Sequence, residues 1–435
     1  MSSPSDSAFT GDTLSRTAAD STPRRSRAAA SLQRAWAATP WWLAVVLVYG
    51  LSRVWGWAVF TVVGRQQGPG PWGDGALSYL QFVDIWDSDW YRRIFSEGYP
   101  SQIPRDVFGH AEQNQWAFYP VQPFLVRGID AVTGSGWALT AATVSLLAGF
   151  GAALVLYKIF DGVPALRESR WANGVGKAPL WAVAVVAFNP VAPVLQTPYS
   201  EALHLLLLSL AILAVVRDKA LWAAVFTVFM ALTRPTGVAF AAALGVWWLW
   251  RSVVSVRRGE RKWYRCADRW LVVALIACAA ALSWPAIAWV VTGELTAYTE
   301  TETAWRADNR VIPILPWVDR GVNLFGPVLG IVAPLILVVA VVLMLRSRVV
   351  KEALPFFVRV WIAAYGVYLL LVLHPQSSTF RLLLPWALLA GPLVHVSESK
   401  AYRTLLIITG AILQLVWVGW LWHWKQLPGG GDYPP

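Results

Sequence analysis

The sequence predicts an all-α, polytopic transmembrane protein, and three observations predict it. Hydrophobic residues make up 57% of the 435 and charged residues only 14%, against about 25% charged in an ordinary soluble domain. The mean hydropathy is +0.49 and the chain carries 28 Trp. Eleven apolar stretches approach the roughly 20 residues that a spanning helix needs. A water-soluble enzyme, a disordered chain and a disulfide-rich secreted domain are excluded. Cys266 and Cys278 read as free thiols, and no CxxC or Cys/His cluster has metal-ligand spacing.

Residues 1–38 are rich in Ser, Thr, Ala and Arg, lack an apolar period, and read as a disordered, basic cytoplasmic tail. The first apolar run starts near Pro40 and is long enough to span, so it is not read as a cleavable signal peptide. Residues 39–425 form the membrane domain. Its candidate spans are 41–63, 137–159, 179–196, 200–216, 219–233, 236–251, 270–292, 323–345, 355–373, 381–397 and 402–422. Pro190, Pro193, Pro285 and Pro385 predict kinked spans. Residues 116–132 contain Pro120, Pro123, Arg127 and Asp130 and read as re-entrant or interfacial. Residues 426–435 read as a flexible end.

Charge sets the orientation. With the N-terminus in the cytoplasm, 23 of the 36 Lys and Arg fall inside and 11 outside, leaving Arg53 and Arg359 within spans. That is the positive-inside pattern. A full span at 116–132 would send the basic 251–269 loop outside. The net charge of +11 is therefore an orientation signal and not a nucleic-acid footprint. It predicts a multi-pass plasma-membrane protein with its large outer segments at 64–136 and 293–322, and shorter outer corners at 197–200, 234–235 and 374–380.

The residue types that carry chemistry gather on that outer face. Trp86-Asp87-Ser88-Asp89-Trp90-Tyr91 is the densest cluster, with Asp84 just before it. On one helix, Asp84 and Asp87 would share a face and Asp89 would point elsewhere. Ile85, Trp86, Trp90 and Ile94 suit an amphipathic helix lying at the interface. An acid held at the water–lipid boundary suits proton abstraction from a hydroxyl; solvated loop charges or helix caps would look the same. Trp116 and Tyr119 belong to an aromatic-Pro block that suits a sugar ring or an interfacial anchor. Tyr199-Ser200-Glu201 starts a span, as a helix cap also would. Tyr298, Glu300, Glu302, Trp305 and Arg306 lie in the second outer loop, and His374 and Arg381 flank the last outer corner. A guanidinium at headgroup level suits a phosphate. Arg53, near the middle of the first span, is a functional candidate by default, and pairing with an outer-face acid is the structural alternative.

Trp86-Asp87-Ser88-Asp89-Trp90-Tyr91, followed by Ile94 and Gly98-Tyr99, resembles the first-outer-loop motif of the PIG-V family. That family comprises the second mannosyltransferases of GPI-anchor assembly and their bacterial relatives. Trp116-Ala117-Phe118-Tyr119-Pro120 with Pro123, Asn189-Pro190 with Tyr199-Ser200-Glu201, Thr233-Arg234 and Arg381 are similar to its later blocks. The resemblance covers roughly residues 45–395. It implies a GT-C fold and transfer of a sugar, mannose by this analogy, from a polyprenyl-phosphate donor. The family's loop aspartate falls on Asp87, and Asp89 takes the place of a second acid. Trp90 departs from the small or His-type residue at that position in the family.

The expectation is an inverting glycosyltransferase with Asp87 and Asp89 as its acids. Trp86, Tyr91, Trp116, Tyr119, Tyr199, Glu201 and Trp305 would bind substrate, and Arg381, Arg234, Arg306 and His374 the donor phosphate. The acceptor would be a bacterial glycolipid or lipoglycan. No cofactor is expected, and a divalent metal stays open. The alternatives are a lipid-linked sugar flippase, for which Arg53 and the broken helices would serve alternating access, and a non-catalytic subunit of a glycan-assembly complex.

Overall fold

The structure, a computed structural model, describes residues 38–168, 177–306, 310–427 and 435. The basic tail expected at 1–38 lies, Ala38 apart, outside the described residues, as does most of the expected flexible end at 426–435. The described residues are helical, with two isolated β-bridges and no strand. The main helices are α1 (Trp41–Gly64), α2 (Ser88–Glu97), α3 (Val121–Thr133), α4 (Trp137–Asp161), α5 (Ala178–Ala187), α6 (Glu201–Val216) and α7 (Ala220–Ala231). They continue as α8 (Gly237–Arg257), α9 (Arg269–Thr292), α10 (Ala297–Thr303), α11 (Leu315–Arg346), α12 (Phe356–Val372), α13 (Ala390–His395) and α14 (Lys400–Trp417).

Six helices are long and apolar enough to cross a membrane: α1, α4, α8, α9, α11, and α14 with its continuation to Trp422. Helices α5, α6, α7, α12 and the Leu384–His395 segment are apolar but shorter. Each of the eleven candidate stretches overlaps one of these, 179–196 only in its first half. Helix α3, which overlaps the 116–132 stretch, has 13 residues, too few for a span.

Local chemistry explains where these helices stop. Pro40 precedes α1, and Pro179 occupies the first turn of α5, where a missing N–H costs nothing. Asp268 caps α9 by accepting from the Trp270 N–H at 3.0 Å. Gly293 ends α9 in the left-handed conformation that glycine adopts without strain. At Asn189-Pro190 the chain leaves α5 and resumes as a 3-10 turn, Ala192–Gln196. Pro385 opens another 3-10 segment, Leu384–Leu389. Pro285 sits within a continuous α9. The break in α11 falls instead at Gly326, φ +79°, just before Pro327.

Helices α4, α5, α6, α7, α8 and α12 pack around one core rich in alanine and large aromatics, with Phe160, Phe240, Trp270 and Trp361 buried in it. Helix α11 is mostly exposed, with a buried share of 11% along its most apolar stretch. Arg53, 5% exposed, does not pair with an acid among the described residues. Its guanidinium donates to the carbonyls of Ala192 and Ala187, the latter at 2.8 Å, and lies 4.8 Å from the Tyr49 ring centroid. The break after α5 frees the Ala187 carbonyl from helical bonding, and the C-terminal end of a helix is an electron-rich partner for a cation.

Candidate active site

Sequence alone predicts a helix that carries Asp84 and Asp87 on one face. The chain instead breaks between them. Trp86 has φ +62°, a strained value for a bulky residue, and α2 begins only after Asp87. The kink is clamped from both sides. The Asp87 N–H donates to the Tyr199 hydroxyl at 2.9 Å, and that hydroxyl donates to the Ile85 carbonyl at 3.2 Å. The Trp86 indole donates to the Trp422 carbonyl at 2.8 Å. Ile85, Trp86 and Ile94 are buried in the protein, so this side of the segment packs inward and does not rest on lipid.

The kink sets Asp87 apart from Asp84 and Asp89, which share Arg92. Asp87 pairs with Arg381. Asp84 binds Ser88, the Trp137 indole at 2.8 Å and Arg92 at 3.2 Å, and burial raises its pKa above the ordinary carboxylate value. Asp89 takes the Trp72 indole and Arg92. Asp89 is not among the residues that line the cavity with Asp87. The two carboxylates are two residues apart at the start of α2, a spacing at which helical side chains do not face each other.

Four charges form a chain beneath the cavity. Arg381 bridges Asp87 and Glu201, meeting Glu201 Oε1 at 2.9 Å, and Arg234 meets the same oxygen at 2.8 Å. Glu201 is 3% exposed and the Arg381 side chain 10%, whereas Asp87, at 22%, opens toward solvent. Two carboxylates and two guanidiniums make the cluster neutral, which lets it be buried. Ser200 ties it to α2, accepting from Arg234 at 3.3 Å and lying 2.6 Å from the Tyr91 hydroxyl. Burial raises the Tyr91 pKa, so this phenol stays neutral. Glu201 Oε2 and Arg381 Nε have no hydrogen-bond partner among the described residues. Beside them lies a 10 Å³ void bounded by Glu201, His204, Tyr365 and Arg381, about enough for one ordered water.

Above this chain is a cavity of 270 Å³. It brings together Asp87, Tyr91, Tyr119, Arg234, Trp305, Arg306, His374 and Arg381 from separate outer segments. Trp305 sets its edge against Trp90 and Phe118, with centroids 5.7 and 5.8 Å apart. Arg306 is held by the Val372 carbonyl at 3.0 Å. The Tyr119 hydroxyl lies 2.9 Å from that of Tyr298, which donates to Glu302 at 3.2 Å. Glu302 also lines the cavity, and burial raises its pKa.

Other expected contacts belong to the supporting structure. Trp86 and Trp116 are buried away from the cavity, Trp116 against Tyr99 and Trp284 with its indole on the Pro100 carbonyl at 3.0 Å. Tyr199 holds the kink at Trp86, and Glu201 holds the two arginines. Sequence reasoning missed Tyr365 and Tyr368, which line the cavity as a stacked pair. Their signal was present: tyrosines three apart share one face of α12, and buried phenols need polar partners. Among the described residues, no three His, Cys, Asp or Glu side chains converge on a metal-sized site. No protein-family model matches the chain, and no curated protein matches it.

Proposed function

We propose that the protein is an inverting glycosyltransferase of the GT-C type, with the chain crossing the membrane eleven times. It would move a sugar, mannose on the PIG-V resemblance, from a polyprenyl-phosphate donor to a hydroxyl of a glycolipid or lipoglycan. The observation that carries this reading is the direct pairing of Asp87 with Arg381 at the wall of one cavity. A proton acceptor and an anion holder then sit side by side where a sugar phosphate would lie between them.

In this mechanism Arg381, Arg234, Arg306 and His374 receive the donor phosphate. Arg381 holds Asp87 through Oδ2, and a phosphate competing for that guanidinium frees the carboxylate. Asp87 then accepts the proton of the acceptor hydroxyl as its oxygen bonds to the anomeric carbon. The bond from that carbon to the phosphate oxygen breaks with its electron pair, and the arginines stabilise the charge that builds on the leaving phosphate. Inversion turns a β-linked donor into an α-linked product. Tyr91, Tyr119 and Trp305 supply the flat walls that favour a sugar ring. The transporter reading leans on Arg53, whose guanidinium is occupied by backbone carbonyls and a neighbouring serine, and it draws less support. The test is transfer from radiolabelled polyprenyl-phosphate mannose in membranes carrying Asp87→Asn at wild-type abundance. Transfer is expected to disappear, and full activity would defeat the assignment.

A further inference from the structure

The turn at residues 105–111 in the first large outer loop is built to present two apolar side chains. Val107 is 94% exposed and Phe108 is 81% exposed. They do not sit on a loose segment. Asp106 Oδ1 accepts from the N–H groups of Phe108 and His110, each at 2.9 Å. The Asp106 N–H donates to the His110 carbonyl at 2.9 Å, and Arg105 donates to the Gly109 carbonyl at 2.8 Å. Gly109 has φ +83°, which closes the turn without side-chain strain. A tip this firmly tied holds its apolar groups in water unless something covers them.

The base of the turn shows where the tip leaves the protein. Ile103 and Trp116 are buried in one cluster with Trp284 and Ala288 of α9. Those two residues lie about 12 and 6 Å before the end of α9 at Thr292, at 1.5 Å per residue. Arg105 pairs with Glu294 and, at 2.9 Å, with Glu300, just beyond that end. The turn is thus fastened at the level where a membrane-crossing helix reaches water. The surface of α9 there, at Trp289, Val290 and Val291, is itself exposed and apolar, and so is Leu295 just past it. In a bilayer, lipid covers that surface. Asp106 and His110 flank the tip.

We propose that Val107 and Phe108 form an interfacial anchor, inserted into the bilayer boundary next to the C-terminal end of α9. The occupant is the lipid leaflet, because the turn that carries the tip is fastened to the end of a helix long and apolar enough to cross a membrane, and its polar flanks suit a headgroup layer. The same loop runs on to Ala117, Phe118 and Tyr119 in the cavity wall. Anchoring the tip therefore fixes that wall relative to the membrane surface. The inference stands apart from the enzymatic reading.

The experiment is spin-label accessibility on the full chain. A Cys266→Ala, Cys278→Ala background receives Val107→Cys or Phe108→Cys, each carrying a nitroxide. The protein is reconstituted in vesicles of phosphatidylcholine with phosphatidylglycerol. Asp74→Cys, an exposed polar site of the same loop, gives the aqueous reference, and Leu282→Cys, exposed on α9, the lipid reference. The ratio of oxygen to nickel-chelate collisions at 107 and 108 is expected to be several-fold above that at 74. Ratios at both positions equal to that at 74 would overturn the proposal and assign the tip to a protein partner or to solvent.

Discussion

Replacing Glu201 by Gln removes one charge from a chain of four while keeping the side-chain volume. The carboxylate accepts from Arg234 and Arg381 at 2.8 and 2.9 Å through a single oxygen and is 3% exposed. At about 4 Å between charge centres and an effective dielectric of 20, each pairing is a Coulomb term of about 4 kcal/mol. The carboxylate's own desolvation cost, several kcal/mol, is relieved by the same change. One guanidinium also keeps a hydrogen bond to the amide oxygen. The remainder falls at the low end of the range for breaking a buried ion pair, about 3 kcal/mol. Unfolding by detergent titration in mixed micelles, followed by near-ultraviolet circular dichroism of the tryptophans, would measure it. The double variant Glu201→Gln, Arg234→Gln restores neutrality and leaves Arg381 with Asp87. It should therefore be destabilised by about 2 kcal/mol less than the sum of the single changes. A Glu201→Gln protein within about 0.5 kcal/mol of the parent, as for an ordinary surface change, or full additivity in the double variant, would refute the charge-chain account.

Three further changes probe other parts of the frame. Tyr199→Phe strips the hydroxyl that clamps the kink at Trp86 and leaves the Asp87 N–H and the Ile85 carbonyl unpaired. Its expected cost is about 1–3 kcal/mol in stability, with transfer from labelled donor falling about tenfold or more because Asp87 is no longer held; unaltered transfer would show that the clamp is dispensable. Burial holds the folded-state pKa of Glu302 above its ordinary 4.5. Between those two values the folded chain binds the proton more tightly than the unfolded one, so stability falls as pH rises through the window. Glu302→Gln should flatten that fall in micelle unfolding curves across acidic to neutral pH, and an unchanged slope would contradict it. Gly410→Ala places a methyl 2.1 Å from the Phe188 carbonyl oxygen, where backbone must move, whereas Gly419→Ala meets nothing within 4 Å. The first should lower stability by about 1–3 kcal/mol and the second by much less; equal effects would mean that α14 packs differently.

The positions of the apolar helices were legible because hydropathy over twenty residues does not depend on what a helix packs against. The cavity was legible in its members but not in its pairings. Asp87, Arg234, Arg306, His374 and Arg381 stood out as polar groups on one face. The bond between Asp87 and Arg381, however, joins positions 294 apart, and local spacing carries no record of it. Asp89 was grouped with Asp87 because a motif records residue types, although the helical spacing already turned its side chain elsewhere. Trp86 and Trp116 read as pocket aromatics for a similar reason: a ring that stacks on a sugar and one that fills a core have the same composition. Tyr365 and Tyr368 were masked by the leucines and valines around them. Arg53 read as an intramembrane charge, either functional or paired with an outer-face acid, and only the break at Pro190 shows that backbone carbonyls answer it.

The charge chain also bears on how the protein reaches its membrane during synthesis. Glu201 opens α6, and Arg234 lies just past α7, the next helix, so the two meet at one end of a helical hairpin. Synthesis delivers Glu201 and Arg234 close together, so on the eleven-span reading the hairpin enters the bilayer with that carboxylate already paired. Asp87 and Arg381 are made early and late and pair only when the last third of the chain is in place. A ribosome stalled between residues 234 and 381 would thus hold an inserted bundle with Glu201 already neutralised and Asp87 still waiting for its partner, so membrane insertion and completion of the site are separable steps.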